Sequence, residues 1–133
     1  MSAHPRRTEP DAERGSAVAD FALVSGLLVL VFLAVLQLAI GLHVRNTLVA
    51  SAAEGARLAA SADRNLSDGI GRTRELVRSS LSPTYAGDVT AWYDSSSGMR
   101  VVVVRVSAPL PLVGLLGPSE HLTVTAHAIA ETP

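Results

Sequence analysis

Histidine is the side chain best suited to proton transfer and metal binding near neutral pH, and the chain carries four, at positions 4, 43, 121 and 127. Only His121 and His127 share a segment, where their even spacing puts both on one face of a strand. Two imidazoles without a third ligand nearby do not hold a metal, so they read as exposed edge residues. Serine and aspartate are plentiful, but no G-x-S-x-G elbow that would present a nucleophile occurs. The "GIG" of Gly69 to Gly71 follows no strand and lacks the spacing of a phosphate loop. Glu54 and Arg57, at i and i+3, read as a surface ion pair. Cysteine is absent, which removes thiolate chemistry and a disulfide framework. The residues therefore predict no enzyme, no metal, no cofactor and no small-molecule substrate.

Charge and composition narrow the classes further. Net charge is −1, and the eleven basic residues, all Arg, form no cluster. With one Trp, two Tyr and two Phe, a base-stacking surface is not expected either, and nucleic acid drops out as a partner. One acid is out of place. Asp20 in "RGSAVADFAL" stands where an uncharged run begins, "FALVSGLLVLVFLAVLQLAIGL", over residues 21–42. At ~1.5 Å per residue this run spans about 33 Å as a helix, enough for a hydrocarbon core of ~30 Å. It is too long for the apolar region of a cleaved secretory signal. Gln37 is its strongly polar side chain and reads as lying near the outer interface. Arg6, Arg7 and Arg14 precede the run, against Arg45 and Arg57 close behind it. The positive-inside rule then keeps the N-terminus cytoplasmic and sends the C-terminal part outward, in a single pass.

The elements around the run follow from periodicity. Residues 1–15, polar at the start, with two Pro and no period, are expected to be a disordered leader. Residues 16–62 are expected to form one long helix, with the transmembrane stretch at 21–42. Its second half is amphipathic, with Val44, Leu48, Ala52, Gly55, Ala56, Ala59 and Ala62 on one face. Residues 63–133 are expected to form an α+β head. A short helix is predicted from Ser67 to about Leu81, capped by Asn65 or Ser67 and closed by Pro83. Gly69 and Gly71 weaken it. "GDVTAWYD" and "MRVVVVRVSA" alternate around the turn cluster "DSSSG" and predict a hairpin. "APLPLVGLLGPSE" reads as an apolar loop, and "HLTVTAHAIAE" as a third strand. The fold class is α+β: a long N-terminal helix, a second short helix and a small antiparallel three-stranded sheet, with the amphipathic half-helix on one sheet face.

Small residues mark two helix-packing stretches. Ala22 and Gly26 form a small-xxx-small pair inside the apolar run, and Ala52, Ala56 and Ala60 form a ridge beyond it. Such faces let helices approach closely where lipid supplies no hydrophobic drive. For Asp20 the residues alone offer a local account: a carboxylate near a helix N-terminus gains ~0.3–1 kcal/mol from the dipole.

"RGSAVADFAL", the apolar run, "RNTLVASAAEGARLAA" and the terminal β segments together resemble the TadE-like proteins, minor pilins or pseudopilins of the Tad (tight adherence, Flp-type) type IV pilus assembly system. The resemblance implies a pilin-like membrane protein cut by a prepilin peptidase after Gly15, leaving Ser16 as the new first residue. Asp20 then takes the fifth position, usually Glu in that family, and Phe21 stands where major Flp pilins commonly have Tyr. The implied assembly role is that Asp20 of one subunit neutralises the α-amino group of a neighbour as helices bundle. Implied partners are other pilin-like subunits, Tad assembly proteins, the peptidase and membrane lipid. The implied location is the cytoplasmic membrane, with incorporation into a pilus. The alternative is an uncleaved single-pass anchor whose outer head binds another envelope or secretion protein.

Overall fold

A computed structural model of the chain describes residues 1, 10–110 and 121–132. The order is α1 (Pro10–Ala60), α2 (Leu66–Ser80), a 3-10 turn (Pro83–Ala86), then β1 (Asp88–Asp94), β2 (Val101–Pro109) and β3 (His121–Ile129). The strands form one antiparallel sheet in the order β1-β2-β3. The fold is α+β, as the periodicities require. The residues divide into two compact units, Met1–Leu36 and Gln37–Pro133.

In the first unit α1 is exposed along almost its whole length. Within α1 lies a helical stretch long and apolar enough to cross a membrane, with none of its most apolar window buried. Leu, Val and Phe side chains such as Phe21, Leu27 and Phe32 are 61–74% exposed. In water that exposure is strongly unfavourable, so lipid is the solvent the segment fits. α1 opens at Pro10, with Asp11 and Glu13 in its first turn. Proline suits a first helical position because its missing N–H would lack an intrahelical acceptor anyway. Residues 10–15 are therefore helical where a disordered leader was expected. Residues 2–9 of that leader lie outside the described residues, as does most of the apolar loop, at 111–120.

In the second unit the core joins α1, α2 and the sheet. Val44, Leu48, Ala52, Ala56, Ala59 and Ala60 of α1 are buried with Val77, Val89, Val102, Val104, Val106, Val124 and Ala126. Ala62, placed on this face from the sequence, lies beyond the helix end and is exposed. Past Ala60 the backbone turns, and the Glu131 N–H donates to the Ala60 carbonyl at 2.8 Å. The strand that follows β2 is thereby fastened to the end of α1.

α2 starts one residue earlier than its periodicity suggested. Asn65 caps it: its side chain accepts from the Asp68 N–H, while the Asp68 carboxylate accepts from the Asn65 N–H. This reciprocal box satisfies two otherwise orphaned donors. The residues that α2 buries are Gly69, Thr73 and Val77; Leu66, Ile70 and Leu81 are half-buried around them. Thr73 donates its hydroxyl to the Gly69 carbonyl at 2.9 Å, which satisfies a buried polar group locally. Gly69 is thus where α1 and α2 touch. A Cβ on Gly69 would lie 2.6 Å from both Ala59 Cβ and the Gly55 carbonyl oxygen. A Cβ on Gly55 would lie 2.6 Å from the Gly69 carbonyl oxygen and overlap the Thr73 hydroxyl.

In the sheet, β2 is central and pairs Trp92 and His127 on either side of Val103. Val102, Val104 and Val106 point to the core, as alternation predicts. Val103 faces the other way yet is only 2% exposed. Its flanks explain this: Trp92 is large, and the Arg105 guanidinium lies 4.8 Å from the Trp92 ring centroid. Around the β1–β2 turn, Ser96 donates its N–H to Asp94 Oδ1 at 2.9 Å and its hydroxyl to Oδ2 at 3.1 Å.

Those bonds favour the ionised acid. The Ser96 backbone N–H first, then its hydroxyl, hold the Asp94 carboxyl below the usual carboxylate range. A depressed pKa contributes stability that is present above the unfolded value and lost as pH falls through the folded one. Wild type is therefore expected to exceed Asp94→Asn slightly in Tm at neutral pH, with the margin shrinking from about pH 4 downward. Thermal melts of the two chains across that range check it; a margin independent of pH contradicts the assignment.

Candidate functional site

The residues singled out for processing and assembly all lie on α1. Gly15, Ser16, Asp20, Phe21, Ala22 and Gly26 are helical and exposed. A Cβ at Gly15 or Gly26 would meet nothing within 4 Å, so both glycines stand open. Ser16 and Asp20 are four residues apart and therefore share a helix face, where side chains lie ~5–6 Å from each other. Among the described residues Asp20 makes no ion pair; the two present are Arg57 with Glu54 and Arg72 with Glu75, both on exposed helix surface.

The start of α1 at Pro10 changes the electrostatics of Asp20. The dipole acts on charges within the first turn. Asp11 and Glu13 occupy that turn, while Asp20 lies in the third. In the uncut chain the dipole thus gives Asp20 little, contrary to the local account drawn from sequence. A helix starting at Ser16 would bring it back to the N-terminal end.

The two small-residue stretches have different surroundings. Ala52, Ala56 and Ala60 are 0%, 0% and 5% exposed, turned into the core of their own chain. They pack within the core that α1 shares with α2 and the sheet. Ala22 and Gly26 are exposed within the apolar stretch, where close approach of a second helix remains open.

The remaining candidates gather no chemistry. His121 and His127 are exposed on β3, a sheet edge, and His43 is exposed on α1. No group of three metal-ligating side chains occurs among the described residues. A shallow depression of about 300 Å³ lies by Asp94, Val101, His127 and Ile129, but the carboxylate there is already engaged by Ser96. What sequence reasoning missed is the glycine contact between α1 and α2 and the two stacked arginines, Arg105 on Trp92 and Arg100 on Tyr93 at 3.9 Å. Gly55 and Gly69 as a pair carry no local signal, since each alone reads as a weak point of its helix.

Comparison with known proteins bears on the same helix. The family model described as TadE-like protein matches residues 15–57, in agreement with the resemblance carried by "RGSAVADFAL" and "RNTLVASAAEGARLAA". The terminal β segments lie outside that match. No curated protein and no solved structure matches the chain.

Proposed function

We propose that this chain is a pilin-like structural subunit of the Tad type IV pilus assembly system, held in the cytoplasmic membrane by residues 21–42, with no enzymatic activity. The observation that carries the reading is the TadE-like match, whose first residue is Gly15 and which runs through the whole apolar stretch. A prepilin peptidase cuts after Gly15 on the cytoplasmic side, freeing an α-amino group at Ser16. Asp20 of one subunit neutralises that amine on a neighbour in a low-dielectric helix bundle. Ala22 and Gly26, small and exposed, let the neighbouring helix approach. The head, residues 63–133, faces outward and meets the other assembly proteins. The excess of Arg before the apolar run supports this orientation.

One observation favours a second reading, an uncleaved anchor whose outer head binds another envelope or secretion protein. The bond after Gly15 lies inside α1, which already begins at Pro10, and a peptidase must unwind that turn to reach it. The mass of the protein isolated from membranes decides between the two. The pilin reading expects a mature chain beginning at Ser16, and Gly15→Leu should block the cut. An intact N-terminus in a cell that assembles pili favours the anchor instead.

A further inference from the structure

The segment between α1 and α2 reads Asp63-Arg64-Asn65-Leu66-Ser67, which contains the acceptor pattern for N-glycosylation, Asn-x-Ser with x not Pro. We propose that Asn65 is a glycan attachment site. The inference rests on the proposed outward orientation of the head, because a lipid-linked sugar donor is met on the non-cytoplasmic face.

The geometry suits the chemistry at the level of single atoms. Asp63, Arg64, Asn65 and Ser67 are all exposed. Asn65 is extended, with φ −134° and ψ 175°. Its amide is used on one side only: Oδ1 accepts the Asp68 N–H at 3.0 Å, while Nδ2 donates no hydrogen bond among the described residues. Nδ2 is the atom that would be modified, so a glycan leaves the capping bond of α2 in place. Leu66 and Ser67 belong to the first turn of α2, whose N–H groups have no intrahelical acceptor. Laying residues 65–67 out for a transferase opens the capping box, the Gly69 N–H to Asn65 carbonyl bond of 3.3 Å and the first helical bonds accepted by the Leu66 and Ser67 carbonyls. It also lifts the half-buried Leu66 from the core, so the first turn of α2 frays while the rest of the helix stays in place. Asp63 forms no ion pair among the described residues and adds a negative charge two residues ahead of the acceptor.

The donor class is an oligosaccharide joined through its anomeric carbon to a polyisoprenyl diphosphate. In transfer, the bond from that carbon to the diphosphate oxygen breaks and a bond to Nδ2 forms. The lipid diphosphate leaves with the electron pair, and the amide proton passes to a base on the transferase.

Mass spectrometry of the full-length protein from its native membranes tests this, because cleavage after Arg64 and Arg72 isolates residues 65–72. The expected result is a hexose- or hexosamine-containing increment on that peptide, absent from Asn65→Asp and Ser67→Ala. Asn65→Asp keeps an N-cap oxygen and removes Nδ2, and Ser67→Ala keeps Asn65 itself, so a loss of signal through misfolding shows as a lowered Tm in these variants. In parallel, the Ser96→Cys variant is treated on intact cells with a membrane-impermeant thiol reagent. If that variant is labelled while Asn65 is unmodified, the glycan site is overturned and the orientation stands. If that variant stays unlabelled, the orientation is overturned, and the glycan site with it.

Discussion

Gly55→Val is expected to lower the Tm of the full-length chain in detergent by more than about 10 °C, a loss of at least ~3 kcal/mol for a head of this size. The reason is local. A Cβ at Gly55 would run into the Thr73 hydroxyl and lie 2.6 Å from the Gly69 carbonyl oxygen, and a backbone carbonyl cannot swing aside as a side-chain end can. Thr73 is itself fixed, because its hydroxyl is bonded to that same Gly69 carbonyl. Relief therefore requires α1 and α2 to separate, uncovering Val77 and Leu48, both 0% exposed. Gly71→Ala is the matched control. Nothing lies within 4 Å of a Cβ there, so the change should recover up to ~1 kcal/mol of helix propensity and raise Tm. Circular dichroism melts of both variants decide the matter; equal melting of Gly55→Val and wild type would show that the two helices do not meet through these glycines.

The second large effect concerns assembly and not stability. Asp20→Ala should insert and mature as wild type does while filament yield collapses. Removing one partner of a buried ion pair costs ~3–5 kcal/mol because the other charge is left unpaired, which corresponds to more than about a hundredfold in association. Asp20 is exposed in the single chain, so the head should melt at an unchanged temperature. Asp20→Glu adds one methylene and keeps the charge, and it should retain assembly. Pilus yield and crosslinking between Ser16 and position 20 of neighbouring subunits read the result directly. Wild-type pili from Asp20→Ala would remove the pairing from the mechanism and leave the acid as a residue of the membrane boundary.

Elements with a strong period were legible in the residues. The three strands follow from alternation, and the turn at 94–98 from its Asp, Ser and Gly. The apolar stretch follows from length and lack of charge. Contacts between distant residues were not legible. Gly69 looked like a flaw in α2 because propensity describes a helix standing alone, whereas its use depends on Gly55, fourteen positions away and in another helix. Ala52, Ala56 and Ala60 read as a helix-packing ridge, and no local pattern distinguishes a small-residue ridge that faces another molecule from one that faces its own head. Alternation separates Val103 from the core-facing Val102, Val104 and Val106, yet it is buried too. Its burial comes from Trp92 and Arg105, which alternation does not describe. For Asp20, sequence located the acid but not the helix start, since Pro10 and the acids after it read equally well as a polar tail.

The way the sheet closes on α1 also has a consequence for when the molecule can fold. The two hairpin pairings, β1 with β2 and β2 with β3, join neighbours in sequence, but Leu48 and Ala52 find Val124 and Ala126 only across more than half the chain. Loop closure over that separation has to be completed before those contacts give anything back. During synthesis the core face of α1 therefore emerges first and is covered last, when residues 121–131 arrive and Glu131 reaches the Ala60 carbonyl. Until then α2 and the first two strands can cover that face only in part, and the share closed by Val124 and Ala126 stays bare on a helix that is already complete. The order of emergence thus runs opposite to the order of burial: the face made first is closed only once the third strand is present.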